Sequence, residues 1–142
     1  MVKVMASGVF DIIHTGHISY LEQAKSMGDE LVVVVASDNT VRKRKHEPVT
    51  PAAMRVKIVS SLKPVDVAVI GNDGDMFAIL EELRPNIIVL GHDQDFDEDA
   101  LVRELDKRGL KIEIRRASQC TDDLSGTRRI VKKILDEHGG RK

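Results

Sequence analysis

Leu31-Val32-Val33-Val34-Val35-Ala36 is an unbroken apolar run between the acidic pair Asp29-Glu30 and the polar Ser37-Asp38. Apolar residues in continuous rather than alternating order mark a strand buried on both faces, the environment of a parallel sheet with helices on either side. One such strand constrains the whole chain, because parallel strands need crossovers long enough to hold a helix. The remaining sequence has that rhythm. Val2–Ala6, Val65–Ile70, Asn86–Leu90 and Leu110–Ile114 are further short apolar segments, each separated by amphipathic stretches. Ile18, Leu21, Ala24 and Met27 repeat at helical spacing, and Gly28 is placed to close that helix. Thr50-Pro51 reads as an N-cap followed by proline at the first helical position, opening a helix to about Leu62. Asp73–Leu83 stops before Pro85, Asp97–Arg108 carries three acids at its positive end, and Thr127–Glu137 is released at Gly139-Gly140. Residues between Ala36 and Thr50 read as a polar loop. No repeat or linker divides the chain, so residues 1–142 form one domain. The expected fold is α/β: a doubly wound, Rossmann-like, five-stranded, mostly parallel sheet with helices on both faces.

Composition narrows the functional classes. A net charge of −1 gives no global field toward nucleic acid, and the absence of Trp with only 3% aromatic residues leaves no base-stacking platform. The lone Cys120 cannot form an internal disulfide and fits a reducing compartment, although a single cysteine is more often inert. No apolar stretch approaches 18 residues, and Lys3 interrupts the first apolar run. The expectation is a cytoplasmic protein with neither a nucleic-acid nor a membrane partner.

Gly8-Val9-Phe10-Asp11-Ile12-Ile13-His14-Thr15-Gly16-His17 lies between the first strand and the first helix. With 5 His and 10 Gly in 142 residues, H-x-G-H arises by chance about once in 100 such chains. A helix N-terminus carries unpaired N–H groups and partial positive charge, which suit it to phosphate. His14 and His17 can add hydrogen bonds there, and Gly16 admits close backbone approach. Zinc binding lacks further ligands at useful spacing, general acid–base work stays open, and two solvated or capping histidines are the plain alternative. No Gly-Lys-Ser/Thr or Gly-x-Gly-x-x-Gly element is present, which argues against a P-loop kinase and a dehydrogenase. Ligands in doubly wound sheets bind beyond the carboxyl ends of the strands, so the histidine motif and Gly91-His92-Asp93, after the fourth strand, are expected to flank one crevice.

Other residues have equally plain readings beside the functional ones. Arg42-Lys43-Arg44-Lys45 reads as a solvated loop. Arg55 can pair with Glu47 or face solvent, His92 and Asp93 suit a turn, and Asp11 suits a turn or cap. Ser125 and Thr127 suit an N-cap, yet with Arg128 they also form a phosphate site at a helix terminus.

The run G-V-F-D-I-I-H-T-G-H resembles the H-x-G-H signature of the cytidylyltransferase-like nucleotidyltransferases. Similarity to small glycerol-3-phosphate cytidylyltransferases and archaeal-type FAD synthases spans nearly the whole chain, through Leu21–Ala24, the basic run, Arg55, Gly91-His92-Asp93 and Leu124–Arg128. The resemblance implies transfer of a nucleoside monophosphate from ATP or CTP to a phosphorylated acceptor. His14 and His17 would be catalytic. Val9, Phe10, Thr15, Gly16, Arg55, His92, Asp93, Ser125, Thr127 and Arg128 would contact the nucleotide, and Lys43 and Lys45 the phosphates. It also implies Mg²⁺ or another divalent cation with the triphosphate, no protein metal site, and a homodimer. Gly91-His92-Asp93-Gln94-Asp95-Phe96 looks closer to archaeal-type FAD synthases, whereas glycerol-phosphate enzymes more often carry an acidic pair followed by Trp there, so the resemblance implies FMN and ATP as substrates. Glycerol-3-phosphate or a sugar phosphate is the alternative acceptor, and a non-catalytic nucleotide sensor the second alternative.

Overall fold

The computed structural model describes residues 1–43, 47–73, 76–92, 94, 97–120 and 126–139. Its elements are β1 (Lys3–Gly8), α1 (Thr15–Ser26), β2 (Glu30–Val35), α2 (Asp38–Lys43), α3 (Ala52–Ser60), β3 (Val67–Ile70), α4 (Met76–Leu83), β4 (Ile87–Leu90), α5 (Glu98–Lys107), β5 (Glu113–Arg116) and α6 (Thr127–His138). The strand order is β3-β2-β1-β4-β5 and every neighbouring pair is parallel, so the sheet is wholly rather than mostly parallel. The chain winds outward from β1 to β3, returns to set β4 beside β1, and winds outward again to β5. That reversal makes the β1–β4 boundary the switch point, where the carboxyl ends of two central strands diverge.

Side chains alternate across the pleat and fill two cores. Val4, Ala6, Leu31, Val33, Val35 and Val89 pack with Leu21 and Ala24 of α1 and Val59 of α3. Met5, Val34, Ile88 and Leu90 pack on the opposite face with Leu80 of α4 and Leu101 and Leu105 of α5. Residues 31–35 are all 7% exposed or less, which is why alternation is absent from that strand.

The structure revises several boundaries. The stretch expected as a polar loop contains α2, capped by Ser37, whose Oγ accepts the Thr40 N–H at 3.1 Å. Asp73 does not open α4. Its carboxylate accepts from Ser37 and Asn39, and Lys43 Nζ donates to its carbonyl at 2.8 Å, fastening α2 to the exit of β3. The N-cap of α3 is Pro51 rather than Thr50. Asp38 supplies the missing acceptor, taking the Ala52 N–H at 3.0 Å. The fifth strand lies at Glu113–Arg116 instead of Leu110–Ile114, because Leu110 folds back on α5 through a 2.9 Å bond to the Leu105 carbonyl. An edge strand tolerates the exposed charges of Glu113, Arg115 and Arg116.

Gly28 shows how closely the amino-terminal edge is packed. A Cβ there would lie 2.6 Å from Val4 Cγ2 and 2.8 Å from the Val2 carbonyl oxygen. Gly28→Ala is therefore expected to cost about 1–3 kcal/mol in urea unfolding, the usual overpacking penalty, while ligand binding at the far end of the sheet is unchanged. Wild-type stability would contradict the packing.

Candidate active site

The chain leaves β1 at Gly8 and makes a strained turn before α1. Phe10 and Ile12 both sit in the left-handed region, at φ of 56° and 54°. Each such non-glycine residue costs about 1–3 kcal/mol, so neighbouring groups must hold the turn. Phe10 is 2% exposed and its ring lies over Gly8, where a Cβ would approach it to 3.1 Å. The same ring supports His17 at a centroid distance of 5.3 Å and Tyr20 at 6.4 Å. Asp11 ties the turn to the entrance of α3: its carboxylate accepts the Val49 N–H at 2.6 Å, the Thr50 N–H at 3.0 Å and the Thr50 hydroxyl at 2.6 Å.

Arg55 is placed differently from the expectation that it contacts nucleotide. It is 0% exposed. Its Nη1 donates to the Val9 and Ala36 carbonyls at 2.8 Å, Nε to the Thr50 carbonyl at 2.9 Å, and Nη2 to Asp38 Oδ1 at 2.6 Å. A buried guanidinium requires such partners, and having them it is a joint between the motif turn, β2 and α3 rather than a ligand contact.

The two histidines cap α1 reciprocally. His14 is the N-cap, and its Nδ1 accepts the Gly16 N–H at 3.0 Å. His17 Nδ1 accepts the His14 N–H at 3.3 Å. This is a capping box built from imidazoles. The rings stack with centroids 3.8 Å apart and planes 28° from parallel. A ring nitrogen that accepts an N–H carries no proton, so each neutral ring holds its proton on Nε2, the nitrogen away from the cap. Partial burial shifts His14 below the ordinary histidine pKa, in the direction the cap requires. The arrangement offers two neighbouring imidazole donors beside a helix N-terminus, a combination suited to phosphate oxygens.

One further segment meets this turn, and two more predicted site residues lie on other segments. Thr127 Oγ1 donates to the Asp11 carbonyl at 2.9 Å, bringing the start of α6 to the motif. Gly126, not Ser or Thr, is the α6 N-cap and supplies no side-chain bond to its first turn. Arg128 is exposed in that turn, and Thr15 and Gly16 begin α1. His92 is exposed in the turn after β4, which pairs in parallel with β1, so this turn and the histidine motif leave neighbouring strands at the same end of the sheet. Lys43 ends α2 with an exposed side chain. Lys45, Asp93 and Ser125 lie outside the described residues.

Two supports escaped sequence reading. Asp38 pairs with Arg55 and caps α3. Tyr20 donates to the Val89 carbonyl at 2.5 Å and accepts the Ser7 N–H at 3.1 Å, bridging β1 and β4; burial pushes its phenol pKa well up. Being the sole tyrosine on an apolar helix face was the available signal for the second. Among the described residues, no three His, Cys, Asp or Glu side chains form a metal-ligand group. Among them, too, no helix is long and apolar enough to cross a membrane.

A wholly parallel, doubly wound sheet with its polar functional groups gathered at the β1–β4 switch point defines a nucleotide-binding α/β protein. Within that class the chain belongs to the cytidylyltransferase-like family, whose model matches residues 5–132. It is 53% identical to the FAD synthase of Aciduliprofundum boonei over 96% of this chain and 92% of that one. It is 50% identical to the FAD synthase of Thermoplasma acidophilum over 99% of both. A crystal structure described as the lipopolysaccharide core biosynthesis protein from Thermoplasma volcanium superposes with TM-score 0.83 at 48% identity, covering 84% of this chain and 98% of that one. Pantoate-beta-alanine ligase from Francisella tularensis, at TM-score 0.58 and 17% identity over 86% of this chain and 60% of that one, shares the fold.

The Asp11 carboxylate gives a pH signature. Partial burial raises its pKa, but the Thr50 hydroxyl, the Val49 and Thr50 N–H groups and the Arg55 charge outweigh that and leave it lowered. A lowered carboxylate stabilises the fold above its ordinary value of 3.8 and loses that contribution as pH falls through the folded value. The stability difference between wild type and Asp11→Ala in urea is therefore expected to be constant from neutral pH to about pH 5 and to shrink in stronger acid. A difference unchanged in strong acid would contradict the assigned bonds.

Proposed function

We propose that the chain is an FAD synthase that transfers AMP from ATP to FMN and releases pyrophosphate. The paired imidazole cap carries this reading, supported by relatives about half identical over nearly the full chain that bear that name. A phosphate oxygen of FMN attacks the α-phosphorus of ATP. The bond from that phosphorus to the oxygen bridging to the β-phosphate breaks, and pyrophosphate departs with the electron pair. The acceptor is itself the nucleophile, so the protein needs none. Its task is alignment and stabilisation of charge.

His14 and His17 donate from Nε2 to oxygens of the triphosphate as negative charge builds on the leaving group. Thr15 and the positive end of α1 face the phosphates, and Gly16, whose own N–H is held by His14 Nδ1, admits close approach of the backbone. Val9 and Phe10 contact nucleotide through backbone atoms, since the Phe10 ring is buried. Thr127 and Arg128, at the start of α6, line the triphosphate, His92 lies beside the nucleoside and Lys43 meets the phosphates; Ser125, Asp93 and Lys45, outside the described residues, take the matching roles only through the family resemblance. A divalent cation, Mg²⁺ by preference, would be carried in with the triphosphate and would supply charge neutralisation there. The carboxylate of the motif turn fits that division of labour, because Asp11 already accepts three bonds from Val49 and Thr50.

Purified protein given ATP, Mg²⁺ and FMN is expected to form FAD and pyrophosphate in equal amounts. Glycerol-3-phosphate or sugar phosphates turning over in place of FMN would move the assignment to the alternative acceptors. No turnover with any acceptor, despite nucleotide binding, would favour a sensor. His17 variants separate capping from catalysis. Asn places an oxygen where Nδ1 stands, so His17→Asn retains the cap acceptor but lacks the Nε2 donor. It is expected to keep wild-type thermal stability and lose about 10²–10³-fold in kcat, as removal of one charge-stabilising donor does. Near-wild-type kcat in this variant would refute the role given to His17.

A further inference from the structure

The β1–β4 ladder runs through Val4↔Ile87, Met5↔Ile88 and Ala6↔Val89. Beyond it the Gln94 carboxamide joins the two strand exits, with Nε2 donating to the Ser7 carbonyl at 3.0 Å and Oε1 accepting the Gly91 N–H at 2.8 Å. The Gln94 N–H closes a turn on the Gly91 carbonyl at 3.2 Å. Arg116 at the end of β5 fixes both ends of that turn: Nη1 donates to the Gly91 and Gln94 carbonyls, each at 2.8 Å. Glu98 of α5 holds the guanidinium by accepting from Nε at 3.0 Å and Nη2 at 2.9 Å.

We propose that Gln94, held by Arg116, is a positioning residue that sets the nucleoside-side wall of the crevice and thereby the choice of nucleotide. This rests on the nucleotide-binding reading above. The fork between β1 and β4 is where a doubly wound sheet receives its ligand, and past the last ladder pair two side chains join the strand exits, the Tyr20 hydroxyl between Ser7 and Val89 and, nearer the ligand end, the Gln94 amide between Ser7 and Gly91. Only an amide of this length offers one donor to the Ser7 carbonyl and one acceptor to the Gly91 N–H. Glutamate would face a carbonyl with a second acceptor, and the fork would open by repulsion. His92 rides on the same turn, so its position follows the fork. Neither Gln94 nor Arg116 touches reacting atoms in this scheme. Their effect is exerted on where the base sits.

The test compares Gln94→Glu and Arg116→Lys with wild type in calorimetric titrations with ATP and CTP, steady-state kinetics with FMN, and thermal melts. Gln94→Glu is expected to weaken ATP binding and raise its KM about tenfold or more, change kcat less than threefold, and narrow the preference between ATP and CTP. Arg116→Lys is expected to show the same split, smaller in size. Unchanged ATP affinity in a folded variant would overturn the proposal, as would a lowered melting temperature with KM and nucleotide preference intact. If Gln94→Glu does not fold, Gln94→Met, which removes both polar contacts at similar size, is held to the same expectations. A wild type that binds ATP yet forms no FAD refutes the FAD synthase reading alone, because the titrations still report on Gln94. A wild type that binds neither nucleotide refutes both.

Discussion

The site depends on a charge with no access to water. Arg55 lies wholly inside the protein, and its guanidinium is satisfied by three carbonyls and one carboxylate drawn from separate segments. Burying an unpaired ion costs several kcal/mol, so any rearrangement that withdrew one of these oxygens would be penalised strongly. The Val9 carbonyl belongs to the motif turn, Ala36 follows β2, and Thr50 precedes α3. The turn carrying left-handed Phe10 and Ile12 is thereby locked to the sheet. Asp11, reaching the same Thr50 from the other side, completes the clamp.

Local chemistry follows from that clamp. Because the turn is fixed, His14 meets α1 in extended backbone and serves as its N-cap. Helical spacing then stacks His17 on it, and each Nδ1 takes a backbone N–H. The capping function dictates the tautomer, and the tautomer dictates where the donors are. One edge of each ring thus initiates the helix, and in the proposed reaction the opposite edges donate to phosphate. The helix terminus adds its own partial charge, and Thr127 brings a second helix start to the same turn.

Much of this was legible in the residues. The continuous run at 31–36 implied a strand covered on both faces, and the alternation of segments implied the doubly wound sheet. H-x-G-H was read at a strand-to-helix junction, and the structure puts it between β1 and α1 at the carboxyl end of the sheet. What stayed hidden shares one cause: bonds between residues distant in sequence. Arg55 resembled an exposed arginine on an amphipathic helix, because its four oxygens come from residues 9, 36, 38 and 50. Thr50 looked like the cap of its own helix, whereas its hydroxyl serves Asp11 and Asp38 caps α3. Ser37-Asp38-Asn39-Thr40 did contain a helix start, but its polarity disguised α2 as loop. The edge position of β5 let Arg115 and Arg116 enter a strand where a buried pattern was expected.

The central claim is that capping sets the histidine tautomers, and it can be observed without substrate. Long-range ¹H–¹⁵N correlation spectra of the imidazole rings at neutral pH distinguish Nδ1–H, Nε2–H and imidazolium forms. Both His14 and His17 should appear as neutral Nε2–H rings. A dominant Nδ1–H tautomer, or an imidazolium, at either residue would contradict the cap and the phosphate-donor role built on it.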